Sequence, residues 1–150
     1  MIIPRSLVVS LIGSALIIVS VFLPWMSTTY SIPDIGTYTV SPSGIENNLG
    51  QLILLIGVAS IGILFVNQKS FRVKFGLLLA VLNLFVIIYF GFRIMFGFPF
   101  PYPIDMFQQD IQFGLYVAII GTLTLIVGKI VENMMKIDKE IKPSEGSLTI

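Results

Sequence analysis

Residues 6–25 read SLVVSLIGSALIIVSVFLPW, twenty positions without one charged side chain. A helix rises about 1.5 Å per residue, so about twenty residues match the roughly 30 Å hydrocarbon core of a bilayer. Three more uncharged runs follow: Leu49 to Val66, the stretch between Lys74 and Arg93, and the stretch between Asp110 and Lys129. A charge, a proline or an Asn/Gln cluster bounds each. Four spanning helices are therefore expected, near residues 6–25, 49–66, 75–95 and 111–139, with 140–150 as a polar cytoplasmic tail. The first run is longer than the apolar core of a secretory leader. It ends in Leu23-Pro24-Trp25 rather than a small-x-small cleavage site, and is expected to be retained.

Composition agrees. Of 150 residues, 55% are hydrophobic and 11% are charged, against about 25% charged in a typical soluble domain. A net charge of +1 leaves no electrostatic footprint for nucleic acid. There is no Cys and no His, so the usual ligands for zinc, haem, copper and iron–sulfur clusters are missing, as are a thiol nucleophile and a Ser–His pair. These features exclude a soluble enzyme, a disulfide scaffold and a DNA binder. No metal, cofactor or catalytic residue is expected.

Eight of the nine basic residues fall on one side of the four spans: Arg5; Lys69, Arg72 and Lys74; Lys129, Lys136, Lys139 and Lys142. Arg93 alone falls on the other. The positive-inside rule then places both ends of the sequence and the loop from Asn67 to Lys74 in the cytoplasm of a multi-pass cell-membrane protein. The two outer loops hold Asp34, Glu46, Asp105 and Asp110, whose spacing suggests no acid–base pair.

In the first outer loop, Thr28–Ile32 and Gly36–Val40 alternate β-branched, aromatic and polar residues around Pro33-Asp34-Ile35-Gly36. That pattern predicts a small β-hairpin exposing Tyr30 and Tyr38, with an irregular loop as the alternative. The second outer loop, Phe96 to Asp105, has proline at alternate positions from Pro99 to Pro103, which forbids a helix or a central strand. Its Phe98, Phe100 and Tyr102, together with Trp25, form either an interfacial aromatic belt or a docking ridge for a partner. Beyond Lys129, the recurrence of Ile130, Met134, Ile137 and Ile141 marks an amphipathic stripe, and Glu132 with Lys136 makes a favourable i, i+4 pair.

No ionisable group lies near the centre of any span; Lys74, Arg93 and Lys129 sit at ends from which their stems can snorkel. Proton-coupled transport is disfavoured accordingly. Asn83, midway along the third span, is the most buried polar side chain expected and is read as an interhelical contact or as lining a path. Small residues mark close helix approach: Ser10 and Ser14 on the first helix, Gly76 and Ala80 on the third, Gly114, Ala118 and Gly121 on the fourth.

Leu23-Pro24-Trp25, the Thr/Tyr-rich loop, Val40-Ser41-Pro42-Ser43-Gly44-Ile45, and Gly114-Leu115-Tyr116 with Gly121 carry a resemblance. The chain looks like the small four-helix prokaryotic membrane proteins with a Leu-Pro-Trp ending on helix 1. That resemblance implies a fold and topology rather than an activity. The layout is also similar to claudin-like tetraspan proteins, although their Gly-Leu-Trp and paired cysteines are absent here.

The fold class expected is all-α membrane, a four-helix transmembrane bundle with a small extracellular β-hairpin. The function expected is a non-catalytic accessory or structural subunit of a membrane assembly, or alternatively a homo-oligomeric pore or small-solute carrier. Its partners would be the lipid bilayer and other integral membrane subunits or copies of itself.

Overall fold

The computed structural model describes residues 4–32, 34, 36–96 and 107–141. Four helices account for most of them: α1 (Arg5–Val21), α2 (Asn48–Leu64), α3 (Lys69–Phe96) and α4 (Phe113–Ile141). Three strands, β1 (Met26–Ile32), β2 (Gly36–Val40) and β3 (Phe107–Ile111), form one antiparallel sheet in the order β2-β1-β3.

Local chemistry sets the helix ends. α1 stops at Val21, four residues short of the expected span, because Pro24 has no N–H to continue the ladder. The Ser20 carbonyl freed there accepts the Leu23 amide at 3.1 Å and the Trp25 indole N–H at 2.7 Å. A 3₁₀ turn over Gly44–Glu46 leads into α2, where the Asn47 side chain caps the helix by accepting the Leu49 amide at 3.0 Å. α3 starts at Lys69 rather than near residue 75, so the expected loop from Asn67 to Lys74 shrinks to a tight turn. Arg72 closes that turn by donating from Nη1 to the Val66 carbonyl at 3.0 Å.

The hairpin appears where the alternation placed it, with Thr28↔Val40, Tyr30↔Tyr38 and Ile32↔Gly36 in register. Asp34 at φ 67° and Gly36 at φ 108° turn the chain. β3 is the addition. It pairs along the other side of β1, from Met26↔Ile111 to Tyr30↔Phe107, so the sheet has three strands rather than two. The following amides, Gln112 and Gly114, donate to the Trp25 and Pro24 carbonyls at 2.9 and 2.8 Å, which anchors the start of α4 beneath the sheet.

α1 lies between α2 and α4, and α3 closes the ring between α4 and α2. The α1–α4 pair is the tightest. Gly13 faces Gly121 and Leu125, Gly121 faces Leu16 and Ile17, and Gly128 faces Ser10, an antiparallel approach of backbone on backbone. A Cβ at Gly13 would lie 2.5 Å from the Leu125 amide nitrogen, whereas one at Gly62 meets nothing within 4 Å. Gly13→Ala is therefore expected to destabilise the fold by about 1–3 kcal/mol. Gly62→Ala should leave stability level or slightly raised, and thermal unfolding of the purified variants compares them.

Large apolar side chains cover the outer surface of the helices as well as forming the core. Phe65, Met95, Phe113, Leu55 and Phe85 are 67–81% exposed on the outer helix surface. Ser6, Ser10, Ser14, Ser60, Asn83, Thr122, Lys129 and Glu132 are buried. Two helical stretches, Lys69–Met95 and Phe113–Met135, are long and apolar enough to cross a membrane; α1 and α2 are shorter apolar helices of 17 residues each.

Candidate functional site

The polar interior of the bundle has two centres, both between α3 and α4. The first is Asn83, fully buried, whose Nδ2 donates to Thr122 Oγ1 at 2.7 Å. The Thr122 hydroxyl in turn donates to the Ala118 carbonyl at 2.7 Å, the bond by which a helical threonine satisfies itself. Asn83 Oδ1 and Ser10 Oγ are buried with no partner among the described residues. Asn83 thus reaches across one helix interface within its own chain.

The second centre is ionic. Arg72 Nε and Nη2 donate to Glu132 Oε1 at 2.8 and 2.5 Å, and Lys129 Nζ reaches Glu132 Oε2 at 3.4 Å. The Lys129 and Glu132 side chains are 0% and 3% exposed, and that of Arg72 is 14% exposed. Gly76 makes room for the lysine: a Cβ there would lie 2.5 Å from Lys129 Cε. Two cations on one carboxylate give a local charge of +1, held by one donor set that also ties the end of α2 through Val66. Its chemistry is that of a latch joining α2, α3 and α4.

This cluster corrects one expectation. Lys129 does not snorkel to water, because its stem and ammonium lie between α3 and α4 over Gly76. Glu132 turns inward to Arg72 and Lys129; the side chain of its expected partner, Lys136, lies outside the described residues. The buried face of α4 runs Leu115, Ala118, Thr122, Leu125, Lys129, Glu132 at spacings of three and four. Extending that spacing past Leu125 is the signal that would have found the latch. Two residues of the expected amphipathic stripe, Ile130 and Met134, are 47% and 61% exposed, and the side chains of Ile137 and Ile141 lie outside the described residues.

Trp25 is a second correction. It is 1% exposed, with its ring edge-on to Phe90 at 5.3 Å and 69°, so it offers nothing to a partner or an interface belt. Gly44 and Gly114 both press on the indole. Tyr30 and Tyr38 are exposed on the sheet, whereas Phe98, Phe100 and Tyr102 lie outside the described residues. Of the small residues, Ser10, Ser14 and Gly121 face the α1–α4 contact, Gly114 seats Trp25, Ala80 and Ala118 are fully buried, and Gly76 seats Lys129.

Near the sheet, a cleft of about 350 Å³ opens between the 3₁₀ turn and α3. Buried Trp25 and Phe90 line it together with exposed Glu46 and Arg93. Among the described residues, no group of three or more Asp or Glu side chains is placed to hold a metal ion.

No protein-family model matches the chain. A comparison with curated proteins also finds no match.

Proposed function

We propose that the chain is a multi-pass cell-membrane protein. All four helices would cross the bilayer, with both ends of the sequence and the α2–α3 turn cytoplasmic and the sheet outside. In this reading it serves as a non-catalytic accessory or structural subunit of a larger assembly, built on the plan of the small Leu-Pro-Trp four-helix membrane proteins that it resembles. The observation that carries the reading is the apolar outer surface: large apolar residues cover the helices, while serines, Asn83, Thr122 and the ionic latch lie inside beside a buried core of Ile, Leu and aromatic side chains. Lipid accepts such a surface, and small or polar residues join helices where no hydrophobic force does. The 17-residue helices α1 and α2 sit at the short end of the range that spans a bilayer.

The absence of native cysteine makes topology directly testable. Thr39→Cys should react with an impermeant maleimide on intact cells, and Asn67→Cys only after permeabilisation. Labelling of both from outside, or release of the chain by alkaline carbonate, overturns the membrane reading. Native mass spectrometry of a gentle detergent extract then tests the subunit role, which requires larger subunits at fixed stoichiometry.

A pore or small-solute carrier is the second reading, and the unpartnered Asn83 Oδ1 is what favours it. Asn83→Leu separates the two. In a subunit it removes one interhelical hydrogen bond, costing on the order of 1 kcal/mol, and leaves membrane conductance alone. In a pore it changes conductance or selectivity in reconstituted bilayers.

A further inference from the structure

β2 is a free edge of the sheet, since among the described residues it pairs with β1 only. All five of its residues are exposed. Sheet edges are ordinarily blunted by lysine, proline, a bulge or a covering segment, because an open row of N–H and C=O groups invites another strand. Gly36-Thr37-Tyr38-Thr39-Val40 contains no charge and no proline, and its five-pair register with β1 has no bulge. The edge is therefore open.

We propose that β2 docks on β2 of a second copy of this chain, antiparallel and centred on Tyr38, merging two three-stranded sheets into one of six strands. Thr37-Tyr38-Thr39 reads the same in both directions, so an antiparallel two-fold contact centred on Tyr38 sets like residues opposite one another. In that register Tyr38 meets its own mate, and each Thr37 meets Thr39 of the second copy. Those pairings repeat ones the sheet already makes on the other side of β2, where Tyr30 opposes Tyr38 and the Thr29 and Thr39 hydroxyls lie 3.0 Å apart. The charge pattern permits it too. The strand is neutral, and the two Asp34 turns fall at opposite ends of the paired segment, about 27 Å apart at about 3.4 Å per residue. The inference names a partner for the proposed subunit and in that respect rests on the subunit reading.

Single cysteines test it in the full chain within its native membrane. Directly opposed strand residues have Cα atoms about 4.5–5.5 Å apart, within reach of a disulfide, whereas diagonal neighbours at about 7–8 Å are not. Tyr38→Cys is expected to give dimer as the main product of mild oxidation. Thr37→Cys alone and Thr39→Cys alone stay monomeric, and co-expression of those two restores the dimer. Tyr38→Lys, at an exposed position that should not impair folding, abolishes the dimer in native mass spectrometry. The proposal fails if Tyr38→Cys stays monomeric. It fails equally if Tyr38→Cys cross-links no better than Phe85→Cys on the outer helix surface, or if Thr37→Cys alone matches the mixture. Alkaline extraction of the same samples reports on membrane insertion separately, so failure of the four-span reading is distinguishable from failure of edge pairing.

Discussion

Glu132→Ala is expected to destabilise the fold by about 3–5 kcal/mol, because it strands two cations that share a single carboxylate. Lys129 is 0% exposed at its side chain and among the described residues pairs with Glu132; Arg72 retains the Val66 carbonyl but loses both bonds to Glu132. Burying an unmatched charge costs several kcal/mol in any low-dielectric interior. Lys129→Met is expected to do the opposite. It leaves the Arg72–Glu132 pair, two donors on Oε1, matched one to one and fills the space over Gly76 with an unbranched apolar chain, so stability should hold or rise. Thermal unfolding of the two variants beside the parent decides the matter. Equal losses for both would mean that the lysine contributes attraction rather than strain, and the latch would have to be redrawn as a three-member unit.

Trp25→Ala carries the second large effect, about 3–5 kcal/mol. The indole is walled by backbone: Cβ atoms built at Gly44 and Gly114 would fall 2.5 and 2.6 Å from its ring atoms. Walls of that kind cannot collapse into the space left behind, which places the expected loss at the upper end of the range. Trp25→Phe retains most of the apolar volume but withdraws one of the two donors to the Ser20 carbonyl, a loss of about 1 kcal/mol. Trp25 is the only tryptophan in the chain, so its emission reports on its own burial. The parent should emit at short wavelength and shift to the red only on unfolding. A red-shifted native spectrum would contradict the buried position.

Much of the helical organisation was legible from charge-free runs, because such runs depend on few residues and are hard to imitate. The boundaries were less so. Pro24 gave a visible reason to stop α1 early, yet the hydropathy of Phe22 and Leu23 continues past it. The hairpin was legible because Thr28–Ile32 and Gly36–Val40 alternate in the manner of a half-exposed sheet. β3 was not, since Phe-Gln-Gln-Asp-Ile has no alternation of its own and becomes a strand through the open side of β1. Trp25 illustrates a different limit. A tryptophan at the end of an apolar helix reads as an interface anchor, and only the fold reveals Ser20, Phe90 and two glycines built around it. The ionic latch is not legible from the neighbours of Lys129 and Glu132 in the chain, because the partner that matters, Arg72, is sixty positions from Glu132.

The closest helix pair joins the first helix of the chain to the last, and the central strand of the sheet likewise waits for its second neighbour until residue 107. A chain emerging from the ribosome therefore cannot complete its bundle step by step. α1 must persist through the synthesis of α2 and α3 before its main partner exists. Two of its serines are suited to that delay: Ser14 and Ser20 donate to the carbonyls of Ser10 and Ile17 on their own helix, so neither needs a partner from elsewhere while it waits. A product truncated before α4 leaves the Ser10 and Gly13 face of α1 bare, Arg72 without its carboxylate and β1 with an open side. Completion of the last helix closes all three at once.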